Sequence, residues 1–116
     1  MARTDMPLIS SDDVQGTNVY SPDATKIGEV DHMMIDKLSG KVSYAVMSFG
    51  GFLGLGHNHY PLPWGALKYN TVLGGFQTGV SEAQLKDAPE FSDGSWANRE
   101  WETRIHTYYG VHPYWD

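Results

Sequence analysis

From Val42 to Leu67 the chain runs for 26 residues without an Asp, Glu, Lys or Arg. About 20 predominantly apolar residues would span a bilayer as a helix. This run is unsuited to that, because it carries Gly50, Gly51, Gly54, Gly56, Gly65, Pro61 and Pro63 together with His57, Asn58 and His59. Such residues break helices and leave backbone polar groups unsatisfied in lipid. The run therefore reads as strands and a loop at the centre of a folded domain. The opening Met-Ala-Arg-Thr-Asp-Met-Pro holds no apolar segment of the secretory kind, and residues 1–7 read as a loose tail. The expectation is a cytoplasmic protein without membrane insertion.

Within the run, Val42 to Phe49 is rich in β-branched and aromatic residues, as strands are. It follows the strand candidate Lys26–Ile35 across the turn Asp36-Lys37-Leu38-Ser39-Gly40, so the two read as an antiparallel hairpin. Val42, Tyr44 and Val46 fall on one face of the second strand, and Ala45, Met47 and Phe49 on the other. A strand apolar on both faces is covered on both sides, so a helix or a second subunit should cover its outer face. Gly28 marks a bulge or a close backbone approach. Pro61 and Pro63, two residues apart, remove donors from one edge of their strand, which suits an unpaired edge. Thr17–Tyr20 is a short strand candidate after an Asp12–Asp13 turn, and Leu67–Asn70 with Gly75–Thr78 forms a last weak hairpin.

Helical signals come late. Ser81-Glu82-Ala83-Gln84 fits a capping box, for a short helix that stops before Pro89. Ala97, Trp101, Ile105 and Tyr108 or Tyr109 recur at helical spacing, with Arg99, Glu100, Glu102 and Arg104 on the other face and Gly110 at the C-terminal cap. Trp96, Trp101, Tyr108, Tyr109, Tyr114 and Trp115 place 6 of the 15 aromatics in the last 21 residues. This helix packs on its own barrel or on another copy of the chain; both readings stay open.

Several chemistries are disfavoured. The chain has no Cys, which removes disulfides, thiolate metal sites and thiol catalysis. Its net charge of −6, with 5 Lys and 3 Arg scattered along 116 residues, argues against a phosphate-backbone binder. The glycines Gly51-x-x-Gly54-x-Gly56 lack the spacing and the following helix of a dinucleotide loop. They read instead as a tight connection that projects Phe52, Leu53 and Leu55 toward the barrel or a partner. His57 and His59 would share a strand face, but no third ligand is evident, so no tightly held metal is expected. Asp12–Asp13 and the Glu100/Glu102 pair read as solvated charge, and no catalytic constellation is visible.

Gly28-Glu29-Val30, Asp36, Ser39-Gly40-Lys41-Val42, the Gly50–Gly56 segment and Pro61-Leu62-Pro63-Trp64 together resemble the PRC-barrel domain family. Leu85 with Ala88-Pro89-Glu90-Phe91 matches the usual end of that domain, and the aromatic tail resembles that of small stand-alone bacterial members. The family includes the cytoplasmic domain of the photosynthetic reaction centre H subunit, and ribosome maturation factors carry a related barrel. Within these 116 residues neither a membrane helix like that of the first nor an N-terminal domain like that of the second is expected. It also has Ala24 where many relatives have Gly in the Ser-Pro-Asp turn. The resemblance implies a mainly β fold: a small, strongly bent antiparallel β-barrel, here with one short helix and a C-terminal amphipathic helix. It implies docking to partners and no catalytic residues.

The resulting expectation is a tail over residues 1–7, a barrel over 8–91 and an aromatic-rich helix and tail over 92–116. The function expected is a non-enzymatic protein-interaction or scaffold module without a cofactor, and a homo-oligomer. Its partner-binding candidates are Phe52, Leu53, Leu55, Tyr60, Trp64, Trp101, Tyr108, Tyr109 and Trp115. The alternatives are an RNA- or ribosome-associated factor and a small-molecule or metal sensor; His57 and His59 are the weak candidates for a metal.

Overall fold

The computed structural model describes residues 7–49, 58–89 and 91–116. Phe52, Leu53, Leu55 and His57 lie outside the described residues. Helix α1 (Ser11–Val14) leads into strands β1 (Asn18–Tyr20), β2 (Lys26–Ile35), β3 (Val42–Phe49) and β4 (Asn58–Pro63). A 3-10 turn (Trp64–Ala66) precedes β5 (Leu67–Asn70) and β6 (Gly75–Thr78). Helix α2 (Glu82–Asp87), a second 3-10 turn (Asp93–Ala97) and helix α3 (Arg99–Tyr109) complete the chain.

The strands form one sheet in the order β4-β3-β2-β1-β6-β5. Its two edge strands, β4 and β5, are consecutive in the chain and are joined by only the three residues Trp64–Ala66. Three residues of 3-10 helix rise about 6 Å. The ends of a six-stranded sheet can come that close only if the sheet curls, and it forms a half-barrel. Pro61 and Pro63 sit opposite Val46 and Tyr44 on the edge strand β4, where missing N–H groups cost no ladder bond. The pairings are antiparallel except for β1 with β6, where Val19 lies beside Phe76 in a parallel pair.

Inside the curl, Val19, Val30, Ala45, Met47, Leu62, Phe76 and Leu85 form the main core. The close approach read at Gly28 is present: a Cβ there would fall on the carbonyl oxygen of Ser48 and stand 2.9 Å from Met47 Cγ. The neighbouring shift in register, between Val19/Gly28 and Tyr20/Lys26, leaves Ile27 as the extra residue. The Asp12–Asp13 segment differs from the turn expected. Ser10 caps it by accepting from the Asp12 N–H at 3.3 Å, and Val14 N–H reaches the Ser10 carbonyl at 3.0 Å. A single helical turn results, with both acids at its favourable N-terminal end.

Ala24 keeps the Ser-Pro-Asp turn by adopting φ +66°. Its N–H donates to the Ser21 carbonyl at 3.0 Å, and Asp23 Oδ1 accepts from the Ser21 hydroxyl and from Thr25 N–H. A left-handed alanine costs about 1–2 kcal/mol, partly offset by the greater unfolded-state entropy of glycine. The substitution A24G should therefore raise stability by about 0.5–1 kcal/mol in urea unfolding. A decrease would show that the turn is not held in this conformation.

Candidate interaction surface

The second face of β3 is where the C-terminal segment enters. Tyr44, 1% exposed, stands on that face and packs against Trp101 and Ile105 of α3. The chain's own helix therefore supplies the cover. α3 starts where Asn98 Oδ1 accepts from Glu100 N–H at 3.0 Å and Trp101 N–H at 3.2 Å. It stops at Gly110, whose φ of +68° lets the chain leave in the left-handed cap.

Trp101 and Ile105 lie inward as their spacing implies, but Glu102 departs from the solvated charge expected of it. It is buried, and its Oε1 accepts from the Tyr44 hydroxyl at 2.8 Å and the Tyr114 hydroxyl at 2.5 Å. Arg99 Nε lies 3.6 Å from the other oxygen. A carboxylate taken out of water is costly unless it is bonded in this way. His106, also buried and unmarked by the apolar pattern, donates from Nδ1 to the Glu102 carbonyl at 2.7 Å. The signal that separates Glu102 from Glu100 lies in the tail: Tyr114 brings a donor back onto the helix, and nothing local reveals it.

Aromatic rings complete the cover. Trp96 and Tyr114 stand 5.2 Å and 5.8 Å from Tyr44, ring centre to ring centre. Trp115 packs on His106 and carries the Arg99 guanidinium 3.8 Å from its ring centre. That distance and geometry make a cation–π contact. Burial, then the bond to the Glu102 carboxylate, raises the Tyr44 phenol far above its ordinary range; the same causes push Tyr114 up to about 12.

The partner-binding candidates divide. Trp101, 2% exposed, belongs to the core and is not available for docking. Tyr60 and Trp64 are half-buried against the barrel core, Trp64 edge-on to Phe76 at 5.5 Å. Tyr109 touches both cores, and the Tyr108 hydroxyl donates to the Gln84 carbonyl at 2.7 Å, tying α3 to α2. Trp115 stays half-exposed. His59 is exposed, with Nε2 3.8 Å from Asp31 Oδ2, an oxygen that His32 Nδ1 also meets at 2.7 Å. Among the described residues no group of three or more His, Asp or Glu side chains could hold a metal ion.

The β2–β3 turn is within electrostatic reach of Arg99 and Tyr114. The Asp36 carboxyl is held below its ordinary range, first by the Ser39 hydroxyl and then by backbone N–H groups and the Arg99 charge. Ile35 at the end of β2 (57%) and Leu38 in the turn (98%) are exposed. Asp36, between them in sequence, senses the Arg99 charge, and Arg99 stacks on Trp115, which relates this exposed apolar pair to the tail.

The buried phenols have a pH signature. Tyr44, Tyr109 and Tyr114 all titrate higher folded than unfolded, where a phenol ionises near pH 10. Their contribution is complete below about pH 10 and is lost as pH climbs from there through the folded values. Urea unfolding should show flat stability up to about pH 10 and a decline beyond it, and Y114F should make the decline shallower. Ionisation of all seven tyrosines near pH 10 in the folded protein would contradict the assignment.

The model of the PRC-barrel domain matches residues 6–85, from before α1 to Leu85 in α2. No curated protein matches the chain. No helix among the described residues is long and apolar enough to cross a membrane. With 80 of its 116 residues in that match, and with the curled six-stranded sheet, the chain belongs to the PRC-barrel domain family.

Proposed function

We propose that the protein is a non-enzymatic scaffold that docks a protein partner through the β2–β3 turn and the C-terminal aromatic tail. A PRC-barrel domain is in general a protein-interaction module, which supports the class. What supports the choice of surface is the exposure of Leu38 (98%) and Ile35 (57%) on either side of Asp36, which senses the charge of Arg99, itself stacked on Trp115. Branched apolar side chains that stand free in water gain from burial, and an arginine stacked on tryptophan is typical of the residues that dominate interfaces. The partner includes, in the first instance, a second copy of the chain, consistent with the homo-oligomer expected of it.

The test is the double substitution I35E/L38E in the full chain. Both positions are exposed, so the circular dichroism spectrum and melting temperature should stay close to those of the parent. Self-association by sedimentation, and capture of a co-purifying protein, should weaken at least tenfold. Retention of both at parental strength would exclude this surface.

A further inference from the structure

A second concavity lies where the family-matched segment meets the end of α3. A groove of about 590 Å³ opens between the turn at Pro22, the 3-10 corner, the β5–β6 hairpin and the residues that follow α3. That volume suits a small molecule. Val111 closes on the corner: a Cβ at Gly65 would stand 2.8 Å from its Cγ1. The groove is thus built jointly by residues 22–84 and by Tyr109, Gly110 and Val111.

Its polar groups have been sorted by the fold. Gln77 Nε2 already donates to the Ser21 carbonyl at 3.1 Å, and its Oε1 accepts from Asn70. Thr78 Oγ1 accepts from Val80 N–H. Gln84 uses its side-chain oxygen to cap α2 through Ser81 N–H, which leaves its NH₂ group without a partner among the described residues. Lys68 likewise has no ion pair among the described residues, and it is the one charged residue lining the groove. The lining contains no Asp or Glu, in a chain with 14 acids against 8 bases. Around these donors the walls are apolar, with Val80, Val111 and Pro22 contributing.

The unused side-chain groups of the lining are the Lys68 ammonium, the Gln84 NH₂ and the buried Tyr109 hydroxyl, unpartnered among the described residues. All are able to donate and one of them is cationic, and among apolar walls they match an anion carried on an apolar body. We propose that this groove binds a small monocarboxylic acid with an aliphatic or aromatic body. The carboxylate is held by Lys68 and the Gln84 amide, and the body lies against Val80 and Val111. A charge-assisted hydrogen bond is about twice as strong as a neutral one, so the lysine carries most of the selectivity for acid over amide.

The experiment is a titration of the full-length, isotope-labelled protein with hexanoate and benzoate, followed by backbone amide shifts. Hexanamide and sulfate at matched ionic strength are the controls. The expected result is saturable shifts concentrated at Gly79, Val80, Gly110 and Val111 with at least one acid, and none with hexanamide or sulfate. In K68Q the affinity should fall at least tenfold while resonances away from the groove keep their positions. No saturation with either acid would overturn the proposal, as would unchanged affinity in K68Q or an equal response to sulfate. None of these outcomes depends on Ile35 and Leu38, so failure here leaves the docking reading intact.

Discussion

The fold depends on covering the face of β3 that carries Tyr44. A central strand with apolar side chains on both faces needs two partners, and the curl of the sheet supplies only one. Ala45 and Met47 enter the barrel, while Tyr44 is left facing away from it. Exposed, Tyr44 would forfeit the burial of a large ring, worth on the order of 2 kcal/mol, and so would the helix residues Trp101 and Ile105. Three such losses approach the whole stability of a small domain, about 5–15 kcal/mol. The C-terminal helix lies beyond the family-matched residues, and by this reckoning it is structural.

Glu102 fixes how that cover sits. Apolar packing alone would let the helix slide or rotate on the sheet. A carboxylate that accepts from Tyr44 on β3 and from Tyr114 in the tail ties three segments to one point. The arrangement is demanding, since removing either donor leaves part of a buried charge without its bond. It also explains the direction of the tail. Tyr114 has to return to the helix to reach Glu102, and the neighbouring Trp115 is thereby brought onto Arg99 and half into solvent.

Much of the barrel was legible in the amino-acid sequence because its signals are local. The strands β2 and β3, the Pro61/Pro63 edge, the capping box at Ser81 and the cap at Gly110 each depend on a few neighbouring residues, and each stands where those residues imply. What was not legible depends on contacts between distant segments. Glu102 reads as solvent-facing by its spacing, and only the return of Tyr114 and the approach of Tyr44, 58 positions away, make it buried. Trp101 reads as a docking candidate for the same reason: an aromatic stripe does not say whether its own chain or another covers it. The parallel β1–β6 pair is likewise set by the curl and not by either strand. Ile35 and Leu38 carry no signal of function in the sequence, because the last residue of a strand and a residue of the turn after it look alike whether or not a partner covers them.

Two surfaces follow from one device. The same fold-back that covers Tyr44 stacks Trp115 on Arg99, whose charge reaches Asp36 in the β2–β3 turn, and sets Val111 against Gly65, so both surfaces depend on α3 being in place. The most direct measurement is urea unfolding of the chain cut after Phe91, with dye binding to exposed apolar surface followed alongside. If α3 is integral to each chain's fold, the shortened protein loses its cooperative transition and binds the dye. A shortened protein that unfolds cooperatively, at the parental midpoint and without dye binding, would contradict the account.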